Sequence, residues 1–264
     1  MEALRGTGMH GGRPASVSFV PQDGPVRFAA NGRAVGLHSL TLAHTRRSTA
    51  VHGPGGVVST VEHAFAALAG AGVWRDVCLE VDGDELPLLD GTAARYFDAI
   101  DALAIEPSAP PTEIASEAVI EIDASRYHFA PGLGVHVEVS LEWHDDRLAQ
   151  RASWGGSKSD FRERIATART FAFERDLSFL GATGLARHVD PESVVLIARD
   201  IHFAGRPFTP DEPARHKLLD LIGDAYLHGG PPIGRVRAHR PGHAANHAAF
   251  ARAKELGVIV ARRA

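Results

Sequence analysis

The 264-residue sequence contains one cysteine, Cys78, so no internal disulfide can form and a zinc site built from cysteines is excluded. A reducing compartment fits that usage. An excess of basic charge is also missing. The 28 Lys and Arg stand against 32 Asp and Glu, for a formal net charge of −4, and this provides no global positive field of the kind that attracts phosphate backbones. We expect no nucleic-acid partner, and any anion contact must be local. Long apolar runs are lacking too. The longest, AFAALAGAGVW from Ala64 to Trp74, is far short of the roughly 20 residues a bilayer span needs, and MEALRGTGMHGGRPASVSF at the N-terminus has no apolar stretch of signal-peptide type. The expectation is a soluble cytoplasmic protein with no integral membrane segment.

What is present is a chain that is 44% hydrophobic, enough for a sizeable core and for two modest domains. EPSAPPTEIA, Glu106 to Ala115, is the one linker-like stretch, because clustered Pro and Ser continue neither a helix nor a central strand. We place an N-terminal domain at 1–107, a linker at 108–115 and a C-terminal domain at 116–264. In the first, ASVSFV, PVRFAA and DVCLEVDG alternate as strands; in the last of these Val77, Leu79 and Val81 form the buried side. Ser59 to Gly72 reads as a helix capped by Ser59 or Thr60, with Val61, Phe65, Leu68 and Ala69 buried and Gly70 or Gly72 at its end, and Gly91 to Leu103 reads as a second.

The order recurs after the linker: EAVIEID and GVHVEVSLEW as strands, SKSDFRERIATA opening a helix, strand-like ESVVLIARD, a helix in DEPARHKLLDLIGDAYLHGG, then IGRVRAHRP and a last helix in HAANHAAFARAKELG. The fold class expected is α+β, in two halves that each pair a sheet with helices. TGMHGG (Thr7 to Gly12) and VGLHSL (Val35 to Leu40) echo each other too faintly to prove a duplication.

The helix at 211–230 sets His216, Asp220 and Asp224 four residues apart, hence on one face, although its leucines supply ample apolar surface elsewhere. Such a stripe is either a solvated face with an i,i+4 pair or part of a metal site. In STVEH, Glu62 and His63 are neighbours diverging by about 100° around a helix, so that one can ligate an ion while the other approaches a water from the side. Ser59-x-x-Glu62 also matches a capping box, the stronger reading for Glu62 on sequence alone. Together, His63, His216 and Asp220 make three N/O ligands with a fourth position open, the arrangement of a catalytic zinc rather than a structural one. His239, His243 and His247 lie in HRPGHAANHAAF. His243 and His247 form a rival i,i+4 metal pair, but the turn at RPG places His243 at a helix start, where a protonatable imidazole is well placed as an acid, with His247 along the exposed face.

GTGMHGG, STVEHAFAALAGAGV, EVDGDELPLLDGTAARYF, ARTFAFE, DEPARHKLLDLIGDAYLHG, IGRVRAHRPGH and AANHAAF, in that order, resemble the zinc-dependent UDP-3-O-acyl-N-acetylglucosamine deacetylase family (LpxC), from about residue 6 to residue 250. The resemblance implies a Zn²⁺ enzyme of lipid A synthesis acting as a monomer on a small-molecule acylated sugar nucleotide, with the site in the cleft between two α+β halves. It implies His63, His216 and Asp220 as zinc ligands, Glu62 as general base, His243 as the acid that protonates the leaving amine, and Asp224 as the carboxylate that orients it. Thr170 resembles the hydroxyl that steadies the oxyanion. Lys217 joins the catalytic set on its substrate side, with Phe171, Arg240 and Gly242 as substrate-binding residues.

The sequence also departs from the family. Ala130 stands where the family commonly has a phosphate-binding lysine, WHDDR (Trp143 to Arg147) replaces a Phe-x-His-Pro element, and RHVDPES replaces Gly-Gly-Ser and Asp-Asn elements in the insert that forms the acyl-chain passage. The first strand is shortened, and the stretch before VVSTVEH lacks the usual cysteine-bearing pattern. Two other readings therefore stay open: deacetylation of a different N-acyl amino sugar, or a non-catalytic relative that binds a sugar nucleotide.

Overall fold

A computed structural model of the chain describes residues 2–174, 190–198 and 207–262. The N-terminal half runs β1 Leu4–Thr7, β2 Pro14–Pro25, β3 Arg27–Ala30, β4 Arg33–Gly36, β5 Thr41–His44, β6 Ala50–Gly53, β7 Gly56–Val58, helix α1 Glu62–Ala71, β8 Arg75–Asp82 and helix α2 Ala94–Asp101. The C-terminal half follows as β9 Thr112–Ile114, β10 Ala118–Ile122, β11 Ser125–Ala130, β12 Val135–Ser140, β13 Arg151–Trp154 and a short helix α3 Lys158–Asp160 that widens into a π turn at Phe161–Ile165. Then come β14 Thr170–Phe173, β15 Val194–Ile197, α4 Glu212–Tyr226, β16 Gly234–His239, α5 His243–Glu255 and β17 Ile259–Ala261. Most of the acyl-passage insert expected between ARTFAFE and ESVVLIARD, at 175–189, lies outside the described residues.

The two halves share one topology. The first sheet has the order β1-β2-β8-β3-β4 and the second β10-β11-β16-β12-β13. In each, the strand that follows the long helix enters the middle, antiparallel to one neighbour (β8 to β2, β16 to β11) and parallel to the other (β8 to β3, β16 to β12). The duplication that the faint TGMHGG and VGLHSL echo could not establish is plain at this level.

Each sheet turns one face inward by strict alternation, as with Val17 and Phe19 on β2 or Tyr127 and Phe129 on β11, and one continuous core joins these faces through the helices. Helix α1 is buried all round rather than along one stripe, and every residue of α4 except Lys217 is buried. Gly72, at φ 70°, ends α1 in the left-handed conformation that glycine adopts without strain. The proline-rich connection is not bare: Thr112–Ile114 forms β9, paired antiparallel with β17, because the prolines stop at Pro111 and free the backbone to join an edge. We retain the domain division at this connection as a proposal.

Helices α1 and α4 cross at closest approach where Gly223 meets the start of α1; a Cβ there would sit 2.1 Å from the Glu62 carbonyl oxygen. Gly223→Ala is expected to force the two helices apart, lowering stability by at least about 1–3 kcal/mol as an overpacked core does. Thermal denaturation of the purified variant checks this, and an unchanged midpoint would show that the crossing tolerates a methyl group.

Candidate active site

Glu62 opens α1, so it cannot occupy the third helical position that a capping box requires. The helix cap is Val61, with no side-chain capping bond, and Ser59 is drawn into backbone pairing with Asp84 and Leu86. The capping reading of Glu62, and of Ser59 or Thr60 as the cap, is thereby corrected. Thr60 sits at φ 60° and donates its hydroxyl to Glu85 instead, while the Glu62 carboxylate accepts the Thr49 N–H at 3.0 Å. Burial pushes the Glu62 carboxyl up to about 7, even though His243 pulls it down.

The polar stripe of α4 is not a solvated face: His216, Asp220 and Asp224 are 4%, 3% and 1% exposed. His63 of α1 meets it, its ring centroid 5.1 Å from that of His216. One ligand atom from each of His63, His216 and Asp220 lies within 4.8 Å of the others, the one group of this kind among the described residues. His216 Nδ1 donates to the Ala168 carbonyl at 3.1 Å, which leaves Nε2 as a lone-pair donor, 3.4 Å from Asp220 Oδ1. A tetrahedral zinc with bonds of about 2.0–2.1 Å places its donors roughly 3.3 Å apart, so the donor chemistry fits that ion and the His216–Asp220 pair, at 3.4 Å, already has the spacing. Burial drives the His63 pKa down to about 4, with His216 adding to the effect, which keeps the imidazole in the neutral form that binds metals. Lys217 donates to Asp220 Oδ2 at 2.7 Å and thereby leaves Oδ1 to face the histidines.

His243 is the first residue of α5, with Gly242 as cap. Its Nδ1 donates to Asp224 Oδ2 at 2.9 Å, and its Nε2 faces the cluster, 3.9 Å from Asp220 Oδ2. Burial lowers the imidazolium's pKa, but Asp224 and Asp220 outweigh that and raise it to about 9, while the same pairing holds Asp224 well below the carboxylate range. Asn246 Nδ2 also donates to Asp224, at 2.7 Å, and is itself held by the Tyr127 hydroxyl at 2.6 Å.

His247 departs from expectation. It is buried, 3% exposed, with Nε2 3.0 Å from the Thr49 hydroxyl and Nδ1 3.0 Å from His228 Nε2. Both nitrogens are engaged, so the rival metal pair with His243 does not form. The alanine-rich sequence of α5 has no strong apolar face that would have told the buried side from the exposed one.

A cleft of about 200 Å³ opens over the cluster, lined by Glu62, His63, His216, Lys217, Asp220 and His243 and by Thr170 and Phe171 of β14. Arg240 lies off this lining, at φ 52° and paired with Glu142. Met9, His10 and Arg47 also line the cleft and were not anticipated. The turn that carries Met9 and His10 is pinned by buried Glu85, which accepts the N–H groups of His10 and Gly11 at 2.9 and 2.8 Å and the His10 ring at 2.8 Å. Gly8 was the available signal, because a Cβ there would come within 2.4 Å of Glu85.

A divalent-metal hydrolase is the class of protein that such a corner defines, with two histidines, a carboxylate, an adjacent proton acceptor and an opposed His–Asp pair. The family model described as UDP-3-O-acyl N-acetylglycosamine deacetylase matches residues 2–254. The UDP-3-O-acyl-N-acetylglucosamine deacetylases of Brucella ovis, Brucella canis and Brucella suis are each 31% identical to the chain over 256 residues, which covers 92% of it and 89% of the relative. The chain belongs to the UDP-3-O-acyl-N-acetylglucosamine deacetylase family.

Burial would raise the Glu85 carboxyl, but the His10 ring and the backbone N–H groups outweigh it and bring it from 4.5 to about 2. A carboxylate so depressed stabilises the fold above its unfolded value and loses that contribution as pH falls from about 4.5 toward about 2. Glu85→Gln should therefore cost on the order of 2 kcal/mol at pH 7 and progressively less below pH 4.5. Denaturant titrations at pH 7 and pH 3.5 check the convergence, and a penalty independent of pH would assign Glu85 a purely steric role.

Proposed function

We propose that the protein is a zinc-dependent deacetylase that hydrolyses the N-acetyl amide of UDP-3-O-acyl-N-acetylglucosamine in lipid A biosynthesis, with His63, His216 and Asp220 as the metal ligands. The observation that carries this reading is the convergence of His63, from one half, with His216 and Asp220, from the other, beside Glu62 and His243. A zinc ion held by these three side chains supplies Lewis acidity to a water and to the amide oxygen.

The chain's own groups divide the remaining work. Glu62, whose pKa of about 7 lets it accept a proton near neutrality, takes one from the attacking water. The water oxygen bonds to the acetyl carbon, and the Thr170 hydroxyl in the cleft lining helps to hold the charge on the acetyl oxygen. His243, protonated and oriented by Asp224, delivers a proton from Nε2 to the departing nitrogen as the C–N bond breaks. The products are acetate and a free glucosamine amine. Lys217 and Phe171 border the substrate, and in this reading Arg240 and Gly242 also contact it, next to the acid in the chain.

Among the described residues no helix is long and apolar enough to cross a membrane. We assign the protein to the cytoplasm, acting as a monomer.

A second reading keeps the chemistry and changes the sugar. Ala130, the last residue of β11, offers no charge where the family commonly has a lysine, and the loss of one charge-assisted phosphate contact costs about 1.5–3 kcal/mol. A binding-only relative has no use for Glu62 and His243 together.

Zinc content and acetate release, measured on UDP-3-O-acyl-N-acetylglucosamine and on simpler N-acetylglucosamine conjugates, separate these readings. Turnover of the acylated nucleotide supports the first, turnover of another conjugate alone supports the second, and none from zinc-loaded protein overturns both. Glu62→Ala should keep its zinc and lose about 10²–10⁴-fold or more in rate. His63→Ala should lose the metal. Full activity in Glu62→Ala would remove that residue from the chemistry.

A further inference from the structure

Thr49 lies at the entry to β6 and is wholly buried, and three of its groups point at the site from behind. Its carbonyl accepts the Val61 N–H at 3.2 Å, which fixes the start of α1. Its own N–H donates to Glu62 Oε2 at 3.0 Å, and its hydroxyl donates to Asp224 Oδ1 at 2.5 Å. No spacing or motif marks this residue, and no role follows for it from the family resemblance.

We propose that Thr49 is a positioning residue that locks the proton acceptor and the proton donor of the reaction into one frame, its backbone holding Glu62 and its hydroxyl holding Asp224 and, through Asp224, His243. This inference rests on the deacetylase reading.

The hydrogen-bond polarity supports it. A hydroxyl has one proton, and that proton goes to Asp224, so Thr49 Oγ1 can only accept from His247. His247 Nε2 is therefore the donor to Thr49 Oγ1, and its Nδ1 lies 3.0 Å from His228 Nε2. Donation thus runs from His247 through Thr49 to Asp224. From the other side Asp224 receives His243 and Asn246, the latter backed by Tyr127. Every neighbour of the carboxylate donates to it, so its two oxygens are held in one orientation, and the His243 ring is aimed from there into the cleft. Removing the hydroxyl takes away the shortest contact of Asp224 Oδ1, leaving it His243 Nδ1 at 3.2 Å and His247 Nε2 at 3.4 Å, and deprives the Nε2–H of His247 of its nearer acceptor.

The backbone arm survives any side-chain change, so Thr49→Val isolates the hydroxyl at nearly constant shape. Zinc content, kcat and KM are measured for the wild type, Thr49→Val and Thr49→Ser, together with ¹⁵N-histidine NMR spectra of the zinc-loaded proteins. We expect Thr49→Val to bind zinc fully, to keep KM within about twofold and to lose about 10- to 100-fold in kcat, the size of effect that misplacement of a reacting group produces. Thr49→Ser should recover most of the rate. The wild-type spectrum should show His247 protonated on Nε2, a signature that needs neither the variant nor a substrate. A kcat within twofold of wild type in Thr49→Val, a serine variant no better than valine, or a His247 with no proton on Nε2 would each overturn the proposal. Wild-type protein that shows the Nε2–H signature but releases no acetate would instead refute the deacetylase reading and leave the network standing.

Discussion

The close crossing of α1 over α4 is the constraint on which the rest of the structure depends. Neither half contains a site. Glu62 and His63 belong to the first turn of one helix, and His216, Asp220 and Asp224 to one face of another. They share a volume because Gly223 lets the backbone of α4 lie against the Glu62 carbonyl. The duplicated topology explains why such a crossing exists: each half offers its long helix to the other, and the two helices bury one another with α2 and α5 flanking them. A site assembled on helix backbones in the middle of a continuous core is held more firmly than one assembled on loops.

That burial has a cost which the charge arrangement offsets unevenly, and the unevenness creates the chemistry. Asp220 is pressed below the ordinary carboxylate range because Lys217, His216 and His243 surround it, against the desolvation that alone would raise it. Asp224 is similarly held down by His243 and His247. Glu62 receives a backbone N–H, and desolvation outweighs the pull of His243. Three carboxylates within one cluster are thus driven apart, two toward permanent charge and one toward the titrating range, while the carboxylates that hold His243 make it a strong holder of its proton. The three carboxylates are distinguished by their surroundings rather than by their intrinsic acidity.

Much of this was legible in the sequence where short spacings carried it. The i,i+4 stripe of α4, the neighbouring Glu62 and His63, the alternation of β8 and the glycine stop at Gly72 are local patterns that the fold preserves. The misreadings have physical causes. Ser59-x-x-Glu62 satisfies the pattern of a capping box, yet Thr60 at φ 60° delays the helix and sends the glutamate elsewhere. His247 looked exposed because alanines hid the polarity of its helix. Thr49 and Asn246 were invisible because their partners are brought together by the tertiary fold, Thr49 and Asp224 being 175 positions apart. The duplication was hidden for the opposite reason, being conserved in strand order and not in residues.

The departures from the family pattern are not remote from the chemistry. Trp143, the first residue of WHDDR, packs edge-on against Phe171 with centroids 5.5 Å apart, and Phe171 in turn packs against His216 at 6.0 Å. Both aromatics flank a second, smaller apolar cluster around Leu148, Val195 and Ile197, and Trp143 packs against the main core as well. A substitution at position 143 therefore reaches a metal-ligand candidate through one intervening ring. Phe171 thus stands between Trp143 and the cluster at the α1–α4 crossing, lining the cleft from β14 while His216 lines it from α4.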